Sequence, residues 1–262
     1  MSNVQKIIKY VGILLAGFII LSIISLVFEV IGFFIPENDD KLKSFNQEYN
    51  NIVELDIDVG GTQLLIQKGD KFSVVASDVS KSFEVKERNG VLEIDEKSLK
   101  FFSKNKGIIT ITINDTILNK LDIDHGAGKL IINDINVNYF ELDQGAGKVE
   151  ISNVSFLNTN IDGGFGSTFI SSSTLRNLEL DMGIGKVEIN ANVEGNNTIS
   201  CGIGELIIDL LGNKDDYQII VDKGVGSVKV DGIKKKDDSI YGNGLNKINI
   251  DGGIGTIHVD FK

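Results

Sequence analysis

Carboxylates recur at one fixed place in this sequence. Two residues ahead of a repeated Gly-x-Gly unit stand Asp124, Asp143, Asp162, Asp181, Ser200, Asp222 and Asp251. Stacked at the ~4.8 Å spacing of paired strands, such side chains repel by about 1 kcal/mol per neighbouring pair in bulk water, so a compensation is required. Two chemistries meet that need. Each Asp can accept backbone N–H bonds inside its own glycine turn, with Lys129, Lys148 and Lys186 nearby as counter-charge. Alternatively, Ca²⁺ can sit between successive carboxylates, with Asp124, Asp143, Asp162 and Asp181 as the ligand ladder. Turn capping is the simpler of the two. The Ca²⁺-binding nonapeptide repeat needs Asp two residues after its Gly-x-Gly, where this chain has Lys, Ser, Glu or Thr followed by an apolar residue.

No other residue set assembles a reaction. His125 and His258 are the only histidines and occupy different repeat positions, which argues against a His-based metal site or a Ser-His-Asp arrangement and leaves both as surface or turn residues. Arg88 and Arg176 are the only arginines and fall in different halves of the chain. No helix pattern follows the glycines and no Gly-Lys-Ser/Thr occurs, so these units are not nucleotide or phosphate fingerprints. Cys201, the single cysteine, has apolar neighbours and reads as a buried thiol that forms no intrachain disulfide. The expectation is a protein that is not an enzyme and uses no cofactor. Lys234–Lys236 read as a solvated basic turn.

The elements that carry the Asp column follow from the spacing. Gly-x-Gly begins at Gly126, Gly145, Gly164, Gly183 and Gly202, an unbroken interval of 19, and looser copies begin at Gly224 and Gly253. Three residues before each unit stand Ile123, Leu142, Ile161, Leu180, Ile199, Val221 and Ile250. Four and six residues after the first glycine come pairs such as Leu130/Ile132, Val149/Ile151 and Val187/Ile189, the i, i+2 pattern of one inward strand face. A 19-residue unit cannot bury such a face alone, but stacked turns bury every copy against the next. The pattern therefore predicts a single-stranded, parallel β-solenoid over residues 119–262. Its turns rest on Gly126, Gly128, Gly145, Gly147, Gly164, Gly166, Gly183, Gly185, Gly202 and Gly204, and the residue between the glycines, such as Phe165 or Ile203, fills a corner.

Upstream, alternating runs broken by Gly-Gly, Lys-Gly-Asp and Asn-Gly predict an antiparallel β cap over residues 51–118. The far end of the stack, near Val259–Lys262, shows no cap. Residues 36–50 are polar and read as a linker, and residues 11–35 are apolar apart from Glu29, long enough for one transmembrane helix. Lys6 and Lys9 before it and Glu37, Asp39 and Asp40 after it put residues 1–10 in the cytoplasm and the β domain outside. No small-x-small site follows the run, so the span is expected to remain as an anchor. The composition agrees with an all-β domain: 29 Gly, one Pro and no Trp. A net charge of −11 excludes nucleic acid as a partner.

The hairpin-rich lead-in, the ITITIND segment and the repeated LDIDHGAGKLII, ELDQGAGKVEI, LELDMGIGKVEI and VDKGVGSVKV phrases resemble the DUF4097 family over about residues 52–262. The resemblance implies a β-solenoid of bacterial envelope proteins that are often labelled adhesins, and it transfers no catalytic residue. Two functions are consistent with it. In one, the domain is a surface binding module that presents its polar ladders to a cell-wall polymer or an envelope protein. In the other it is a regulatory or scaffold subunit of an envelope stress response, and the spanning helix, with Gly12 and Ala16 four apart, contacts membrane proteins.

Overall fold

The alternation of apolar and polar residues resolves into strands along nearly the whole described chain. The computed structural model describes residues 42–96, 107–222, 224–236 and 239–262. The expected membrane span over residues 11–35 and the cytoplasmic segment 1–10 lie outside them. No helix among the described residues is long and apolar enough to cross a membrane.

Seven strands precede the regular repeats: β1 (Lys43–Tyr49), β2 (Glu54–Val59), β3 (Gln63–Lys68), β4 (Phe72–Val79), β5 (Glu84–Arg88), β6 (Val91–Glu96) and β7 (Ile108–Ile113). Five long strands follow, each bent at its Gly-x-Gly: β8 (Leu118–Asn133), β9 (Asn136–Ser152), β10 (Ser155–Arg176), β11 (Leu178–Glu194) and β12 (Asn196–Leu210). The chain closes with β13 (Tyr217–Asp222), β14 (Val225–Val230), β15 (Ile233–Lys235), β16 (Ser239–Gly242) and the long β17 (Asn246–Phe261).

The rungs from β8 to β12 pair in parallel with an offset of 19, broken only where a bulge at Ser172 of β10 shifts its end to 18 against β11, so Ile123, Leu142, Ile161, Leu180 and Ile199 stack in one line. All five are buried. Burying such a side chain contributes roughly 1.5–3 kcal/mol, and each is sandwiched between two copies of itself. Phe140 and Phe156 meet at 4.5 Å between ring centroids in the same core. Away from the glycine corner the coil turns again at Asp134, Asn153 and Ser172, whose φ values of 59°, 54° and 51° are left-handed. Asp and Asn tolerate that conformation without glycine.

The glycines of the first corner are fixed by neighbouring rungs. At Gly166, φ is 143° and an added Cβ would land on the carbonyl oxygen of Gly147 one rung below. Only glycine permits both the angle and the approach.

Both ends differ from a simple sequential stack. β17 pairs in parallel with β12, and β13 and β14 stack outside β17, so the looser copy at Gly253 precedes the one at Gly224 in space. The antiparallel strands β16 and β15 then pair with β13 and β14. The end near Val259–Lys262, expected to be uncapped, is thus an inner rung, and the short strands β15, with two lysines, and β16 cover the true end, as edges require.

The N-terminal half is arranged in the same way and corrects the expected antiparallel cap. β2 and β3 form a rung parallel to β8, and β6 and β7 form another parallel to β2 and β3. Antiparallel pairing is confined to β5 on β6, β4 on β7 and β1 on β4. Residues 43–49, within the polar stretch 36–50 expected as linker, form β1. As an edge strand β1 buries Tyr49 and packs Phe45 against the core, so it carries no full alternation to read.

Candidate functional site

The Asp column is longer than the repeats announce. In rung order it runs Asp95, Asp58, Asp124, Asp143, Asp162, Asp181, Ser200, Asp251 and Asp222, every neighbour in register. Asp58 and Asp95 fall outside the regular 19-residue interval. Their signal is present in the LDIDVGG phrase at residues 55–61 and the LEIDE phrase at 92–96, which repeat the apolar-x-Asp pattern without a full Gly-x-Gly.

Two residues earlier on the same outward face lies a second column: Glu93, Asp56, Asp122, Glu141, Asn160 and Glu179. Side chains at i and i+2 share a face of a strand, so the two columns make one acidic sheet surface. Its charge has measurable consequences. Burial first, then Asp58 and Asp143, raise the pKa of Asp124, and burial, Asp143 and Asp181 raise that of Asp162. Asp56 is raised by burial and then Asp122.

The expected counter-charges sit elsewhere. Lys129 and Lys148 both pair with Glu150, the former at 2.7 Å, and Lys186 pairs with Glu188 at 3.2 Å and Glu205 at 3.4 Å. These lysines follow the glycine corner, whereas the aspartates precede it, so their nearest acids lie on their own arm of the coil. The two lysines hold Glu150 below the usual carboxylate range. On the acidic face Lys120 reaches Asp122 at 2.7 Å and Glu141 at 3.1 Å, and among the described residues no ion pair reaches Asp124, Asp143, Asp162 or Asp181.

Turn capping occurs at Asp222, whose carboxylate accepts the Gly224 N–H at 3.2 Å. Among the described residues, Asp124, Asp143, Asp162 and Asp181 make no such bond. They line a groove of about 660 Å³ floored by Gly126, Gly145, Gly164, Gly183 and Gly202. Among the described residues no group of three or more His, Cys, Asp or Glu side chains converges as a metal ligand set. Each rung offers one aspartate to this line, against the six to eight oxygens that Ca²⁺ gathers.

The column just before the glycines holds two buried polar residues that bond to each other, His125 and Gln144. His125, read from sequence as a surface or turn residue, is 0% exposed. Its Nε2 contacts the Thr62 carbonyl at 2.9 Å and its Nδ1 the Gln144 Oε1 at 2.8 Å, while Gln144 Nε2 donates to the Ala146 carbonyl at 2.8 Å. His125 thereby ties the β2–β3 rung to β8 and β9. His258 stands apart from it, between Ile207 and Lys229 in register. Cys201 is buried, and burial raises its thiol pKa, which keeps it unreactive.

The residues between the glycines do not fill the corner. Phe165 and Ile203 are 40% and 38% exposed, and with Ile184 and Ile254 they form an outward ridge in register. With a glycine on either side, no neighbouring side chain on the strand is long enough to cover them.

Solved structures are similar to this chain. A candidate adhesin from Bacteroides fragilis is 16% identical, covers 84% of this chain and 97% of its own, and superposes with a TM-score of 0.51, a likeness of fold alone. A candidate cell adhesion protein from Clostridium sporogenes is 18% identical over 85% of this chain and 100% of its own, with a TM-score of 0.40. No curated protein matches the sequence. The profile of the Toastrack DUF4097 family matches residues 52–252, well over half of the 262, and the chain belongs to that family.

Proposed function

We infer that the chain is a non-catalytic binding module, adhesin-like in mode, held on the outer side of the cell membrane by one N-terminal span over residues 11–35. The observation that carries the reading is the acidic face: eight aspartates and Ser200 in one column, beside a second column with five acids. A rigid ladder of uncompensated charge attracts a partner that repeats at a matching scale and carries the opposite charge. A cell-wall polymer or an envelope protein with a basic surface fits that description. A candidate adhesin of the same fold supports the reading, as does the family's place in bacterial envelopes.

The test is a pull-down with the full chain, immobilised in detergent, against separated cell-wall and membrane-protein fractions, with and without Ca²⁺. Retention of one fraction is expected, weakening between 50 mM and 500 mM NaCl because exposed charges are screened. The triple variant Asp143→Asn, Asp162→Asn, Asp181→Asn should lose it. Retention unchanged in the triple variant, or no retention from either fraction, would overturn the reading. Ca²⁺-dependent retention lost with these aspartates would make them ligands rather than a bare charged face.

A further inference from the structure

A third outward column, six residues before the Gly-x-Gly units, differs from the acids beside it. It runs Lys120, Tyr139 and Asn158, then Asn177 and Asn196. Tyr139 is 60% exposed, a large ring left open on a polar face. Around it lies a shallow groove of about 440 Å³, with Lys120, Asn158, Asn177 and Glu179 at its edges. That volume is within the range of small-ligand sites.

The polar groups are held in place and incompletely used. Asn177 Nδ2 donates to Asn158 Oδ1 at 3.3 Å, Asn158 Nδ2 donates to the Asn138 carbonyl at 3.3 Å, and the Asn196 N–H donates to Asn177 Oδ1 at 3.4 Å. A side-chain amide has two donors and two lone pairs, so each of these two amides keeps one of each free. Glu179 lies at the same edge and has no ion pair among the described residues.

The ligand that matches has an apolar C–H face to lie on an aromatic ring and an edge of hydroxyls that donate and accept together. A pyranose has both. An anionic lipid surface does not match, because Glu179 and Glu141 flank the ring. We propose that the groove around Tyr139 is a saccharide subsite, in which one pyranose of a glycan stacks on Tyr139 and is hydrogen-bonded at its edge by Asn158, Asn177 and Glu179. This rests on the reading of the domain as a binding module and names one class of its partner.

Saturation-transfer NMR on the full chain in a non-glycosidic detergent tests it, with cellotetraose, maltotetraose and chitotetraose as probes. At least one oligosaccharide should receive saturation from the wild-type protein. Tyr139→Ala should abolish that signal, Tyr139→Phe should retain it, and Asn177→Ala should weaken binding about fivefold, the scale of one hydrogen bond. Both side chains lie at the surface, and a matching circular dichroism melt for each variant separates lost binding from lost fold. No signal from any of the three probes, or equal signals from wild type and Tyr139→Ala, overturns the site. Asp143, Asp162 and Asp181 lie outside this groove, so their triple variant should keep the saccharide signal even where it loses retention in the pull-down. A signal that disappears with those acids and survives Tyr139→Ala also refutes the subsite.

Discussion

Neutralising one rung of the Asp column should make the protein more stable. Asp162 lies between Asp143 and Asp181 in register, at the ~4.8 Å spacing of strands, and both neighbours act to raise its pKa after burial does. In bulk water each pair costs about 0.9 kcal/mol, and physiological salt roughly halves that, leaving about 1 kcal/mol for the two together. For a domain of this size 1 kcal/mol is about 2–4 °C in melting temperature. Asp162→Asn should therefore melt about 2–4 °C above wild type at pH 7 in 0.15 M NaCl, followed by far-ultraviolet circular dichroism. The pH dependence has a definite sign. A carboxyl whose folded pKa is raised binds its proton more tightly in the folded state, so its contribution is most favourable below the unfolded value and becomes a penalty as pH rises through the folded one. The gain from Asp162→Asn should shrink as pH falls toward the ordinary Asp range, and shrink again in 1 M NaCl. Asp162→Ala should gain as well, because no turn bond is lost. A lower melting temperature for Asp162→Ala at pH 7 would refute the repulsion argument and restore turn capping at this rung.

Two further substitutions probe the interior and the corner. His125→Ala removes a buried side chain that bridges the Thr62 carbonyl and Gln144, so it should cost about 2–4 kcal/mol in urea unfolding, and a loss below 1 kcal/mol would mean that the bridge is dispensable. Phe165→Ser should change stability by less than about 0.5 kcal/mol because the ring stands outside the core, whereas a loss of 3 kcal/mol or more would place it inside.

The regular middle of the rod was open to reading because each 19-residue unit has one environment. Ile123, Leu142 and Ile161 face identical neighbours above and below, so the apolar period, the glycines and the strand face recur together. The ends were hidden for the opposite reason. β2 and β3 place Thr62 where the repeats have their second glycine, and residues 97–106 separate β6 from β7, so neither N-terminal rung shows the full phrase although its strand register is the same. The order of β17 and β13 cannot be read from spacing, because both carry the same apolar pair and only pairing partners distinguish them. At the acidic face, sequence gave the aspartates but misassigned the lysines, since nearness along the chain does not place a side chain on the same arm of a bent strand. Tyr139 and the asparagines went unremarked because a single aromatic residue in a polar column leaves no period.

The inverted order at the C-terminal end bears on how the domain is made. β13 and β14 leave the ribosome before β17, yet their parallel docking surface is β17 itself, which occupies the place between them and β12. Growth of the rod by adding each new coil to the last, which suffices from β8 to β12, halts there. The emerging β13–β16 segment must wait, paired only with its own hairpin strands, until residues 246–261 arrive and slide between. Assembly is therefore gated by β17: a nascent chain stalled short of Asn246 exposes the open face of β12 and a loose, lysine-bearing hairpin, the kind of species that chaperones hold and proteases remove.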